Sequence, residues 1–234
     1  MAVAVVATSA VATLEANIAK GRRVRTVSAQ REVAFALCAA SATQTIHEGI
    51  VKKGGIKTLV TLLQSQDEEV QRFAILALAN TSVTALYRLQ IANEASALEH
   101  VVSYLSHEAS DKIGKQYCAM VVGNLAANAE NHEAIARFGG IPALVSLLTA
   151  AAKDQGMEGG RYAAFALANL AAEPSNADLI GEEDGVEMTV EAVSAALDSA
   201  SVHGEEPDQE MLLHAAEVLR NLASSAMNRQ RIVR

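Results

Sequence analysis

The chain has 234 residues, half of them apolar, a fifth charged and only three of them proline, which suits one elongated globular domain or two small compact ones and argues against disorder. Aromatic residues make up 3%, with no tryptophan, so modules that work through stacked rings, for single-stranded RNA or for proline-rich peptides, are disfavoured. The formal net charge of −8 repels phosphate backbones, and Arg22, Arg23 and Arg25 near one end and Arg229, Arg231 and Arg234 at the other are too few and too far apart to make a basic face for nucleic acid.

The opening run, Met1 to Thr13, is apolar but lacks the positive leading segment of a secretory signal and is too short to span a bilayer. The expected location is therefore the cytoplasm or the nucleus, with no direct membrane insertion. Cys38 and Cys118 sit inside apolar helical patterns; a disulfide is open on paper, and buried free thiols in a reducing compartment are the reading taken.

From Arg31 onward the sequence repeats. Arg31 to Ala39 reads REVAFALCA, Arg72 to Asn80 RFAILALAN, Gln116 to Asn124 QYCAMVVGN, Arg161 to Asn169 RYAAFALAN, and Leu213 to Asn221 LHAAEVLRN. Their last residues are 41, 44, 45 and 52 positions apart, the period of two- and three-helix solenoid repeats. After the first segment comes IHEGIVKKGGIKTLVTLLQSQD, and after the third NHEAIARFGGIPALVSLLTA. In each, a short helix should stop at a glycine pair, Gly54–Gly55 or Gly139–Gly140, because a left-handed backbone costs glycine nothing. A second helix should then carry a buried stripe through Leu59, Val60, Leu62 and Leu63, or Leu144, Val145, Leu147 and Leu148. The repeat unit is short helix, glycine turn, second helix, polar loop, long third helix. Small residues such as Ala74, Ala119, Ala163 and Ala215 let neighbouring third helices approach to the low end of the roughly 8–10 Å interaxial range.

GGIPALVSLL followed by RYAAFALANLA resembles the armadillo repeat family, and the likeness runs from about Ser28 to the C-terminus. It implies an all-α, right-handed superhelical solenoid of about five repeats, the terminal ones incomplete. Residues 1–27 would supply one helix of an incomplete first repeat, with Leu14 and Ile18 on its buried face, and residues 28–234 the solenoid, truncated at its C-terminus. Two repeats depart from the pattern: NEASALEHVVSYL (Asn93 to Leu105) and EEDGVEMTVEAV (Glu182 to Val193) lack the glycine pair, and reshaped turns are expected there.

Asparagine is a mediocre helix former, so Asn80, Asn124, Asn169 and Asn221 at equivalent positions need a cause; the first repeat has Ala39 instead. The resemblance implies that the third helices line a concave groove where these amides hold the main chain of an extended peptide. An amide has the donor and acceptor for that task. One turn before them lie Phe35, Leu76, Met120, Phe165 and Glu217, and two turns before lie Arg31, Arg72, Gln116, Arg161 and Leu213. The row of arginines beside apolar side chains would favour an acidic and hydrophobic protein segment, unless each arginine merely pairs with a scaffold acid. Tryptophans and acidic linings of the importin-α kind are missing apart from Glu217, so a nuclear-import adaptor is the weaker alternative. A structural or oligomerisation arm, with the asparagines bracing helices internally, is the other.

No phosphate-binding loop, zinc-protease helix or clustered metal ligands occur, so neither catalysis nor a cofactor or metal is expected. The six histidines are expected at the surface. NRQRIVR, from Asn228 to Arg234, starts a further repeat, and an uncovered apolar face there would permit end-to-end self-association.

Overall fold

The computed structural model describes residues 26–107, 111–154 and 158–233, and every regular element in them is a helix. The described residues pack as two compact units that divide between residues 101 and 102. The helix expected for residues 1–27, with Leu14 and Ile18, lies outside the described residues apart from its last two positions. Among the described residues no single helix is long and apolar enough to cross a membrane.

The first unit contains α1 (Val27–Ser41), α2 (His47–Lys52), α3 (Gly55–Leu62), α4 (Glu68–Ser82) and α5 (Ala85–Asn93), and α6 (Ala97–Ser106) starts in it. Helices α1 and α4 are third helices in the sense of the repeat, and they lie side by side. Each begins on a side-chain cap: Ala29 N–H donates to Thr26 Oγ1 at 3.3 Å, and Val70 N–H to Asp67 Oδ1 at 3.0 Å. Such a cap satisfies one of the amides that the first turn leaves without a carbonyl. Between the two helices Ala34, Leu37, Ala74, Ile75 and Leu78 are at most 1% exposed.

The second unit holds the remainder of α6 and α7 (Lys112–Ala126), α8 (His132–Arg137), α9 (Gly140–Asp154), α10 (Glu158–Leu170), α11 (Pro174–Glu182), α12 (Gly185–His203), α13 (Gln209–Leu222) and α14 (Ala226–Ile232). Its third helices, α7, α10 and α13, pack one against the next, and the second helices α9 and α12 pack together behind them. Close approach is visible at Gly123, where an added Cβ would come within 2.5 Å of the Phe165 ring.

The glycine turns are as the sequence suggested: Gly54 and Gly139 adopt φ of +74° and +83°. The two departures behave differently from each other. Asp184 takes φ of +59° and keeps the turn unchanged in length, Gly185 lying five positions after Ile180 as Gly55 lies five after Ile50. Ser96 takes φ of +64°, but Ala97 lies six positions after Ile91. The reason is steric: a Cβ on Gly55, Gly140 or Gly185 would lie 2.4–2.6 Å from the isoleucine Cγ2 of the preceding helix. The added residue makes the room that Ala97 needs.

A second recurring device closes each third helix. A side chain six residues after one of its last carbonyls donates back to that carbonyl: His47 Nε2 to Ser41 O (2.7 Å), Arg88 Nε to Ser82 O (3.1 Å), His132 Nε2 to Ala126 O (2.7 Å), Asn176 Nδ2 to Leu170 O (3.2 Å) and Arg229 Nη1 to Ala223 O (3.0 Å). Carbonyls at a helix end lack intrahelical donors, and these side chains supply them. This corrects the expectation that the histidines sit at the surface: His47 and His132 are 3% and 8% exposed, and they are structural donors.

Candidate functional site

In the second unit the three third helices bring Asn124, Asn169 and Asn221 to the same register on neighbouring layers. The layers are tied through these amides. Asn169 Nδ2 donates to Gly123 O on α7 at 3.1 Å, and Asn221 Nδ2 to Ala168 O on α10 at 3.0 Å. In the first unit Asn80 Nδ2 donates to Ser41 Oγ on α1 at 3.1 Å, and that hydroxyl in turn donates to Cys38 O at 2.7 Å. One amide proton is therefore spent on the scaffold in each of these three. An amide nitrogen carries two protons and its oxygen two lone pairs, so each keeps a second N–H, while the Asn221 oxygen also accepts from Arg220 Nε at 3.5 Å and keeps one lone pair. Asn80, Asn169 and Asn221 are half-buried, whereas Asn124 is only 8% exposed.

Next along the wall, Phe165 rests on the bare backbone of Gly123 and stacks at 50° on the ring of His214 from α13, with centroids 5.1 Å apart. His214 Nδ1 lies 3.3 Å from Glu217 Oε2. His214 escaped the sequence reading because it falls between Leu213 and Glu217 in the repeat. The available signal was the glycine at 123 where two other repeats have alanine, a mark of close approach. In the first unit Phe35 is 54% exposed and meets Phe73 edge-on at 5.4 Å. Leu76 and Met120 are half-buried, and Leu213 is 58% exposed.

The outer row is largely engaged with acids at the start of the following third helix. Arg31 pairs with Asp67 at 2.6 Å and with Glu69 at 3.3 Å, Gln116 Nε2 donates to Glu158, and Arg161 Nη1 pairs with Glu210 at 3.1 Å. Arg72 is half-buried. Hydrogen bonding to the Arg31 guanidinium, then to the Val70 amide, holds the Asp67 carboxyl below the usual carboxylate range. The Arg161 Nε–H is buried without a partner among the described residues. The charge that two of the three arginines would offer an acidic ligand is thus shared with scaffold carboxylates. Cys38 and Cys118 are both buried free thiols, and burial pushes Cys38 up to about 11, so neither is a nucleophile at neutral pH. Among the described residues no three His, Cys, Asp or Glu side chains are grouped to hold a metal ion.

Residues 50–83 match the profile of the Armadillo/beta-catenin-like repeat. Among solved structures, an engineered protein is 29% identical over 94% of this chain and 87% of its own, with a TM-score of 0.72. Computationally designed armadillo repeat proteins for modular peptide recognition superpose with a TM-score of 0.75 at 21% identity, covering 96% of this chain and 86% of theirs. A designed armadillo repeat protein in complex with peptide (KR)4 gives 0.66 at 20% identity, covering 94% and 90%. A search of curated protein sequences finds none that matches. With the repeat profile matched in the first unit, the same three-helix layer built from equivalent residues in the second, and this likeness over nearly the whole length, the chain is an all-α solenoid that carries an armadillo repeat at residues 50–83 and shares the fold of armadillo repeat proteins.

Proposed function

We propose that the chain is a non-catalytic protein-interaction scaffold that holds an extended segment of another protein along its third helices. The observation that carries this reading is the fixed asparagine register in the second unit. Bonds from Asn169 and Asn221 to the preceding helix orient each amide without consuming it, which is the preorganisation a main-chain grip requires. If layers lie about 8–10 Å apart and an extended chain advances about 3.3 Å per residue, each amide meets every third residue. That spacing gives affinity independent of side chain, and selectivity falls to neighbours such as Phe165, Met120 and Glu217. The peptide-bound designed relative supports the mode of binding, not the ligand. Apolar residues of the ligand are favoured over acidic ones, since Arg31 and Arg161 already have carboxylates. Two buried free thiols suit a reducing compartment, the cytoplasm or nucleus.

The test is a peptide array comparing the native chain with Asn124→Ala plus Asn169→Ala, at a temperature where circular dichroism shows both folded. Binding should fall about 3- to 10-fold for each hydrogen bond lost, by similar factors for all captured peptides. Undiminished capture together with a lowered melting temperature would leave the asparagines as braces only.

A second reading, an oligomerisation arm, is favoured by one observation. Val190 is 49% exposed, whereas its equivalents Val60 and Val145 are 4% and 5% exposed. Leu197, seven residues on, is 46% exposed on the same face of α12. Sedimentation at rising concentration should show association that Val190→Glu abolishes; a monomer throughout removes this reading.

A further inference from the structure

The two second helices of the second unit share an apolar stripe that is closed in one and open in the other. In α9 the stripe runs through Ile141, Val145 and Leu148, all at most 5% exposed. In α12 the same spacing carries Val186, Val190, Val193 and Leu197, which are four, three and four residues apart. Val186 is buried and Val193 half-buried, but Val190 and Leu197 stand exposed. The reason is coverage: α9 has α12 packed on it, whereas α12 packs against α9, α11, α13 and α14, and of these only α9 is a second helix. One flank of the open stripe is acidic. Glu187, Glu191 and Asp198 follow one another at four and seven residues, so they share the face beside it, and all three are exposed. No lysine or arginine occurs in α12.

The sequence holds a segment of the complementary kind. Val11, Leu14 and Ile18 precede Ala39 by 28, 25 and 21 positions, the same counts by which Ile141, Leu144 and Leu148 of α9 precede Asn169. In chain order this segment, outside the described residues, therefore stands ahead of α1 as α9 stands ahead of α10. Its apolar positions are followed by Lys20, Arg22, Arg23 and Arg25, with Glu15 the one acid between residues 7 and 25. A stripe without its next second helix and a segment with the spacing of one, opposite in charge, complement each other. Two α12 helices face to face would instead set Glu187, Glu191 and Asp198 against their own copies. A solenoid layer contacts only its neighbours; the segment goes with α1 and α12 with α13, so the occupant comes from another molecule. We propose that residues 11–25 of a second copy dock on α12. Val11, Leu14 and Ile18 cover Val190, Val193 and Leu197, and the basic residues face Glu187, Glu191 and Asp198. Docking of this kind requires association through α12, the second reading above, and gives it a partner.

The experiment is sedimentation of the full chain at rising concentration in low salt, where exposed charges are least screened. The native chain is compared with two charge-reversed variants, Lys20→Glu plus Arg22→Glu plus Arg23→Glu, and Glu187→Lys plus Glu191→Lys plus Asp198→Lys, each shown by circular dichroism to be folded. The native chain should associate, and each variant alone should do so about tenfold more weakly. An equimolar mixture of the two variants should regain the native association, because each then meets the opposite charge on the other. A native chain that is monomeric throughout overturns both the docking and the second reading. Association that Val190→Glu abolishes but the Lys20, Arg22 and Arg23 reversal leaves intact keeps the second reading and overturns the docking. A mixture that associates as weakly as its parts overturns the docking as well.

Discussion

The two units build one repeat with different residues, and the difference shows which features the backbone demands and which it tolerates. At the first-to-second helix turn, the left-handed residue is glycine at 54 and 139, serine at 96 and aspartate at 184, with φ between +59° and +83° in all four. The conformation is kept whatever residue stands there. The following position behaves otherwise: it is glycine wherever it lies five positions after the preceding isoleucine, and alanine only at Ala97, which lies six positions after it. A left-handed φ is an energy that a polar side chain can bear, whereas a Cβ inside van der Waals contact is a collision that only a longer loop removes.

That contrast predicts its own largest effect. Gly140→Ala in the second unit would put a Cβ 2.6 Å from Ile135 Cγ2 and 2.9 Å from the Ile135 carbonyl oxygen. Backbone oxygen has nowhere to go, so a destabilisation of about 1–3 kcal/mol is expected, read as a drop in the urea midpoint. Inserting one residue before position 140, to copy the Ala97 loop, should recover most of the loss. If Gly140→Ala alone is neutral, the length difference between the two turns has another cause.

A smaller effect sharpens the same comparison from the other side. Gly139 has open space around its Cβ position, so Gly139→Ala tests conformation alone and should cost about 1–2 kcal/mol. Asp184→Gly should stabilise, by only about 0.5 kcal/mol, because relief of the left-handed strain is offset by the greater freedom of glycine in the unfolded chain. Thermal unfolding of both variants checks the opposite signs; a loss of stability in Asp184→Gly would mean that the aspartate contributes through its side chain.

Features carried by neighbours in sequence were legible. The glycine turns, the apolar stripes of α3 and α9, the small residues between third helices and the asparagine register all follow from local spacing. Illegible features depend on partners a whole repeat away. Arg31 meets Asp67 over 36 residues, Arg161 meets Glu210 over 49, and Asn221 reaches Ala168 over 53. No local pattern announces such pairs, so the sequence leaves open whether the arginines pair on the scaffold and whether the asparagines brace neighbouring helices. His47 and His132 misled for a related reason. Their six-residue reach back to a helix end is local, but the loop that carries them is polar, and only the fold shows that it turns inward.

The smallest effect concerns the Arg31–Asp67 ion pair of the first unit and its counterpart in the second. Asp67 caps α4 and pairs with Arg31; its side chain is 13% exposed, while that of Arg31 is 52% exposed. Its folded carboxyl titrates below the unfolded value of about 3.9. A depressed folded value means that the carboxylate contributes stability above the unfolded value, and that this contribution is lost as pH falls through the folded one. Asp67→Asn keeps a competent cap and removes the charge. The gap in urea midpoint between native chain and variant should therefore be constant from pH 7 to about 5, shrink below about 4, and vanish in stronger acid. High salt should narrow it at neutral pH, because the exposed guanidinium is screened. Glu210→Gln, at the Arg161 pair where the carboxylate is 71% exposed, should move the midpoint less. If it moves the midpoint as far as Asp67→Asn does, the lower exposure of the Asp67 carboxylate adds nothing to its pairing, and the two units are equivalent at this edge.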